Sequence, residues 1–386
     1  MSRLPHVLRV ASVVALVAAL GAQSYSDLTL VRNRKNEGEN LLQVRAGVGF
    51  GRPSGSEDET IGLQSVVAPD GHVYFRRRGF GSQNAVLLAY AGFDGLYATV
   101  KDDPQSGRDG QNRMELFGRV YPYYREGFYR DGDFVPTGRY EGSDYGVALA
   151  ASRMMDRELR VELGVFYKGY QFSENDTTAT NYVVPDDFNG YGGKLTLEHH
   201  TLSTERTTGR PNGGFLFTVG AEREQNDSKG TFGTVGIYES ELPGGLWRGR
   251  GHLEWYFPHT EVSTFAFVVD GSFSDDQDRI YNNDASKPMG SLWFDGQLRW
   301  RLDMGSALSV TPFLAGQYLR VLDESGFASD VELFFGGGLD LRLDLGTNFT
   351  AYANYSYLNN ESRATVSPTR DTLGEHQLFT GIEIRF

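Results

Sequence analysis

Apolar and polar residues alternate strictly along much of this chain, and few folds are compatible with that pattern. From Val331 the odd positions read Val331, Leu333, Phe335, Gly337, Leu339, Leu341, Leu343 and Leu345, while the even ones read Glu332, Phe334, Gly336, Gly338, Asp340, Arg342 and Asp344. A strand places these two sets on opposite faces, one oily and one polar. A helix would scatter the charges around its circumference, and the three consecutive glycines would cost it roughly 1 kcal/mol each. The same split sets Leu159, Val161, Leu163, Val165 and Tyr167 against Arg160, Glu162 and Lys168. It returns with Leu292, Phe294, Leu298, Trp300 and Leu302 against Asp295, Gln297, Arg299 and Arg301. The 25 phenylalanines and 21 tyrosines suit strands and exclude a disordered chain. With no cysteine, disulfide-stapled scaffolds and cysteine-anchored lipoproteins are excluded as well. The net charge of -13 has the wrong sign for a nucleic-acid partner.

Strand length points to a membrane. These runs extend over about 10 to 15 residues, where strands of soluble sandwiches have ~5–6 and a tilted membrane-crossing strand needs about 9–11. The apolar set must then face lipid and the charged set a lumen, and the sheet must close, because an open edge in lipid leaves peptide groups unpaired. Short connections at 153–157, 206–212, 258–261, 303–306 and 345–347 alternate with long polar ones at 173–189, 224–245, 274–289, 322–329 and 359–372. The predicted fold is therefore all-β, a closed antiparallel transmembrane β-barrel with short periplasmic turns and long extracellular loops. Residues 112–386 give about 12 strands, and 40–50 with 84–100 add two, for about 14 in all, with 12–16 possible. Within 51–83, Ile61–Val67 and His72–Arg76 read as a hairpin turning at Pro69-Asp70-Gly71, and a turn at Phe93-Asp94-Gly95 would raise the count to about 16. Ahead of the barrel (40–386), residues 1–22 read as a secretory signal peptide. Arg3 and Arg9 precede an apolar run from Val10 to Leu20 and the small pair Gly21-Ala22. Residues 23–39 read as a short periplasmic segment.

The chain ends on Leu378, Thr380, Ile382, Ile384 and Phe386, alternating with Gln377, Phe379, Gly381, Glu383 and Arg385. A closing strand with a final phenylalanine resembles the insertion signal of bacterial outer-membrane β-barrel proteins of the porin-like kind. The resemblance implies that the first set is an assembly signal read by the barrel-assembly machinery. It implies an outer-membrane location but no particular subfamily. No plug-sized stretch or passenger domain is recognisable, so neither an energy-coupled receptor nor an autotransporter is expected. Arg78-Gly79-Phe80 resembles the lid-loop motif of the barrel-assembly and translocation family, yet it stands near the start of the chain, and it is read as a chance match.

Inward-facing charges are the candidate site. Arg113, Glu115, Arg119, Arg160, Glu162, Lys168, Arg248, Arg250, Glu254, Asp295, Arg299, Arg301, Glu332, Asp340 and Arg342 are the predicted pore-lining residues, mixed in sign and suited to filtering ions and solutes. The same rows would equally brace a closed barrel. Inward aromatics such as Phe117, Tyr121, Phe166, Tyr170, Tyr256 and Phe334 either stack sugars or fill space. The long loops hold essentially all the negative excess, which offers carboxylates to divalent cations beside surface lipid. No catalytic constellation is legible. His72, His199, His200, His252, His259 and His376 lie in no hydrolase motif, and His199 and His200 must point to opposite faces. The expectation is a non-enzymatic barrel with no cofactor, no metal site and no nucleic-acid partner. It is either a channel for small polar solutes or saccharides or a closed structural or surface-assembly barrel that binds surface lipid or glycan through acidic loops.

Overall fold

The computed structural model describes residues 40–53, 66–79, 85–92, 95–102, 112–130, 133–175, 178–204, 210–236, 238–275, 290–322, 328–346, 348–359 and 375–386. The signal peptide and the segment 23–39 lie outside the described residues. The strands in chain order are β1 (Asn40–Pro53), β2 (Val66–Arg78), β3 (Ala85–Gly92), β4 (Gly95–Asp102), β5 (Asn112–Arg130), β6 (Asp133–Met154), β7 (Leu159–Ser173), β8 (Tyr182–Val183), β9 (Phe188–His200), β10 (Ser203–Thr204), β11 (Pro211–Asn226), β12 (Thr231–Thr234), β13 (Tyr238–Glu241), β14 (Gly245–Thr260), β15 (Ser263–Ser274), β16 (Gly290–Met304), β17 (Leu308–Leu322), β18 (Ala328–Asp344), β19 (Phe349–Asn359) and β20 (Glu375–Arg385). All but β8, β10, β12 and β13 form one antiparallel wall of sixteen strands. β20 pairs back onto β1 from Gln43↔Arg385 to Pro53↔Glu375, so the sheet closes on itself and leaves no edge in lipid.

The barrel has two strands more than the favoured count, both from the N-terminal third. The predicted strand 84–100 is two strands, β3 and β4, which pair from Ala85↔Asp102 to Gly92↔Gly95. Pro69-Asp70-Gly71 is not a turn. It lies inside β2, opposite Val48, Gly47 and Ala46 of β1. β3 pairs with β2 only from His72 onward, so Pro69 stands opposite β1 alone.

Burial is inverted relative to a soluble protein. On β7, Leu163 and Val165 are 62% and 61% exposed on the outside, while Glu162 on the inside is only 4% exposed. The alternation that put oil on one face therefore put it against lipid. The connections β6–β7, β9–β11, β14–β15, β16–β17 and β18–β19 all fall at one end of the wall, which in the general layout of outer-membrane barrels is the periplasmic end. Gly305 and Gly346 carry the positive φ that two of these turns need. In the β6–β7 turn the Asp156 carboxylate accepts the backbone N–H groups of Glu158 and Leu159, which hold its carboxyl below the usual aspartate range.

At the opposite end two loops do not stand free. The β7–β9 and β11–β14 connections contribute β8, β12 and β13 to a small antiparallel sheet. Phe232 and Leu242 from that sheet's loop pack on Tyr170, Phe188 and Leu246. Tyr170 and Leu246 share the inward face of their strands with Lys168 and Arg248, so the loops fold into the outer mouth as a cap over one side of the lumen.

Candidate functional site: the charged lumen

Directly beneath the cap lies a buried quartet of two cations and two carboxylates. The Lys168 ammonium contacts Glu222 and stands 2.9 Å from Glu224, while Arg248 reaches the same two residues at 2.5 and 2.8 Å. The Tyr170 hydroxyl donates to Glu224 at 3.3 Å. The Glu224 side chain is fully buried, and a cluster whose two cations balance its two carboxylates makes such burial tolerable. Beside it Arg119 pairs with buried Asp144 at 3.0 Å. Lower on the same wall, Arg160 pairs with Glu198 at 2.6 Å and Lys194 with Glu162 at 3.0 Å, while Thr99 donates to Glu115.

A second network circles the periplasmic end. Arg210, in the turn before β11, reaches across to Asp303 on β16 (3.4 Å) and Asp344 on β18 (2.5 Å). Arg301 joins Asp303 at 3.1 Å and donates to the Pro211 carbonyl at 2.8 Å. Arg342 links Asp344 (3.1 Å) to Glu383 (3.9 Å), which is also held by Arg385 and by Gln43 of β1. One chain of alternating charges thus spans the mouth from β11 to β1. Between the two networks, Arg299 contacts Asp340 and Gln297 and lies 5.4 Å from the Phe313 ring, and Asn354 also donates to Asp340. Asp295 stands in register with Asp270 on β15 and Gln317 on β17.

The pore-lining candidates therefore share the inward face, but they fall into separate clusters rather than one ring. Arg248 and Lys168 belong to the capped side, Arg299, Arg301, Asp340 and Arg342 to the periplasmic half, and Arg250 is exposed within the lumen. The Glu332 and Tyr121 side chains lie outside the described set, and among the other aromatics Tyr170 fills space beneath the cap. Sequence reasoning missed Glu222, Glu224, Asp303 and Arg210 as partners, and it missed a cluster on β14. There His252 donates or accepts at both ring nitrogens, 2.8 Å from Asp270 and 2.8 Å from Glu254, which also accepts from the Tyr256 hydroxyl. The spacing 252, 254, 256 on a strand was the available signal, since it puts all three on one face. Among the described residues no group of three or more His, Asp or Glu is arranged to hold a metal ion.

At the C-terminus, Leu378, Ile382 and Phe386 are exposed on the outer face, and Thr380 donates to the Tyr352 carbonyl. Phe386 and Leu42 exchange both backbone hydrogen bonds, at 2.8 and 3.1 Å, and so the last residue is built into the seam. Ile384, opposite Val44, completes that outer row.

No family model matches the chain, and no curated protein matches it by sequence. Among solved structures, CdiB from Acinetobacter baumannii is similar with a TM-score of 0.55 at 10% identity, over 91% of this chain and 61% of CdiB. BamA from Haemophilus ducreyi lacking POTRA domains 1–3 is similar with a TM-score of 0.51 at 11% identity, over 91% of this chain and 71% of that one. The chain thus spans about three-fifths of CdiB's length. Closure over sixteen strands, an apolar outside, a charged inside and these neighbours agree: the protein has the fold of a bacterial outer-membrane β-barrel, of no particular subfamily.

Proposed function

We propose that the barrel is an outer-membrane channel through which small polar solutes or saccharides pass passively or with weak selectivity, along the side of the lumen bounded by β14–β20. The supporting observation is residual solvent exposure. The Arg299 and Arg342 side chains keep 30% and 26% of their exposure inside the wall, whereas Glu224 on the capped side keeps none. Walls of 16–18 strands leave room for water where 8-stranded ones are filled by side chains. Cations and carboxylates facing each other across that water impose a transverse field that sorts solutes by charge. The reading is non-enzymatic, with export by the leader and insertion through the closing strand. Purified protein in a planar bilayer is expected to give discrete current steps with weak ion selectivity. A silent bilayer overturns the reading.

The cap favours a second reading, a closed structural or surface-assembly barrel. Asp186, Asp187, Asp227, Glu239 and Glu241 are exposed on or beside it and offer hard oxygen ligands to divalent cations bridging surface lipid or glycan. It predicts no conductance together with glycan or lipid binding that a chelator abolishes.

A further inference from the structure

The lipid-facing side of the wall changes chemistry at one level. On β11 it runs Phe215, Phe217, Val219, Ala221 and then turns to Arg223 and Gln225. On the neighbouring β14, Trp247 and Trp255 both point outward, about eight residues apart, which at ~3.4 Å per residue and a tilt of ~40° separates them by roughly 20 Å along the membrane normal. They mark the two ends of the apolar band, with Trp247 at the loop end beside outward Tyr191 and Phe273.

Arg223 is the register partner of Trp247, and its guanidinium carbon lies 5.4 Å from that ring's centroid. Gly245 leaves it room: a Cβ there would stand 2.9 Å from the Arg223 Nη2. Among the described residues no carboxylate pairs with this guanidinium. The exposed Asp227 nearby in sequence is taken by the backbone N–H and amide of Asn189, which hold its carboxyl below the usual range. An arginine on the lipid face is costly at the midplane and cheap at the interface. A planar fork of donors matches phosphate bidentately, and an indole beneath it fixes the plane of the fork. At this level of the outer leaflet, the groups available to meet it are lipid headgroups.

We propose that Arg223, seated on Trp247 at the outer rim of the β11–β14 wall, binds the phosphate of an outer-leaflet lipid headgroup, with Tyr191 and Phe273 packing against the rest of that lipid. The site faces away from the lumen, so it stands whether or not the barrel conducts. The test uses the full chain refolded into phosphatidylcholine nanodiscs carrying a fluorescent diphosphoryl lipid A, with retention measured against unlabelled competitors. Wild type is expected to retain the lipid, Arg223→Gln to weaken retention roughly tenfold or more, and Arg223→Lys to fall between them. Fully dephosphorylated lipid A is expected to bind wild type no better than the diphosphoryl lipid binds Arg223→Gln. Equal retention by wild type and Arg223→Gln overturns the proposal, as does equal retention of the dephosphorylated lipid. Competition by inorganic phosphate as strong as by the lipid overturns the assignment to a lipid source. Should Arg223→Gln fail to fold, the comparison of phosphorylated with dephosphorylated lipid on wild type decides alone.

Discussion

At the seam between β1 and β20, Gly47 faces Gly381, and the hydroxyl of Tyr352 lies over both. A Cβ at Gly381 would stand 2.3 Å from the Ala46 carbonyl oxygen and 2.5 Å from that hydroxyl, and Arg45 stacks on the same tyrosine at 4.0 Å. Gly381→Val is therefore expected to lower unfolding stability by about 1–3 kcal/mol, the usual penalty for overpacking, as read from urea titration in lipid vesicles. Gly118→Ala is the control, since its Cβ meets nothing nearer than 4.0 Å, and it is expected to change little. Single residues such as these were only half legible. Alternation tells that Gly381 faces inward, since its strand neighbours Leu378 and Ile382 set the phase. It cannot tell that a tyrosine from the next strand needs the space. The same limit hid the buried quartet: Lys168 and Arg248 were legible as inward charges, but the pairing with Glu222 and Glu224 depends on the β7–β9–β11–β14 register.

Among elements, the turn before β11 departs furthest from what its length suggests. It reads as one more short periplasmic connection, yet Arg210 leaves its own hairpin and ties β16 to β18. Arg210→Gln removes two charge-assisted contacts and is expected to cost roughly 1.5–3 kcal/mol in the same titration. It also frees the periplasmic mouth, so single-channel conductance is expected to rise. An unchanged conductance would mean that the turn does not constrict the path. β2 teaches the complementary lesson. Proline, aspartate and glycine in succession are strong turn formers, and they yield to the strand because β1 supplies a continuous partner along Val66–Arg77 while β3 does not reach the proline. Local propensity lost there to tertiary pairing.

For the whole molecule, the decisive division is between a capped side and a more exposed side of one lumen. The cap rests on the hydrophobic cluster of Tyr170, Phe188, Phe232, Leu242 and Leu246. Replacing residues 228–243 by a short Gly-Ser turn is expected to leave the wall intact and to enlarge the current steps in a planar bilayer. Steps of unchanged size would place the conducting path elsewhere. The wall is legible in the order of amino acids: alternation of period two, strand length matched to a membrane, the rhythm of short and long connections, and the closing strand with its terminal phenylalanine are all local or nearest-neighbour properties, written residue by residue. What fills the wall depends on packing in three dimensions. Loops folding inward, a turn reaching across five strands and the grouping of inward charges into separate clusters all depend on which distant side chains share the enclosed space, and that follows from closure and register rather than from any local pattern.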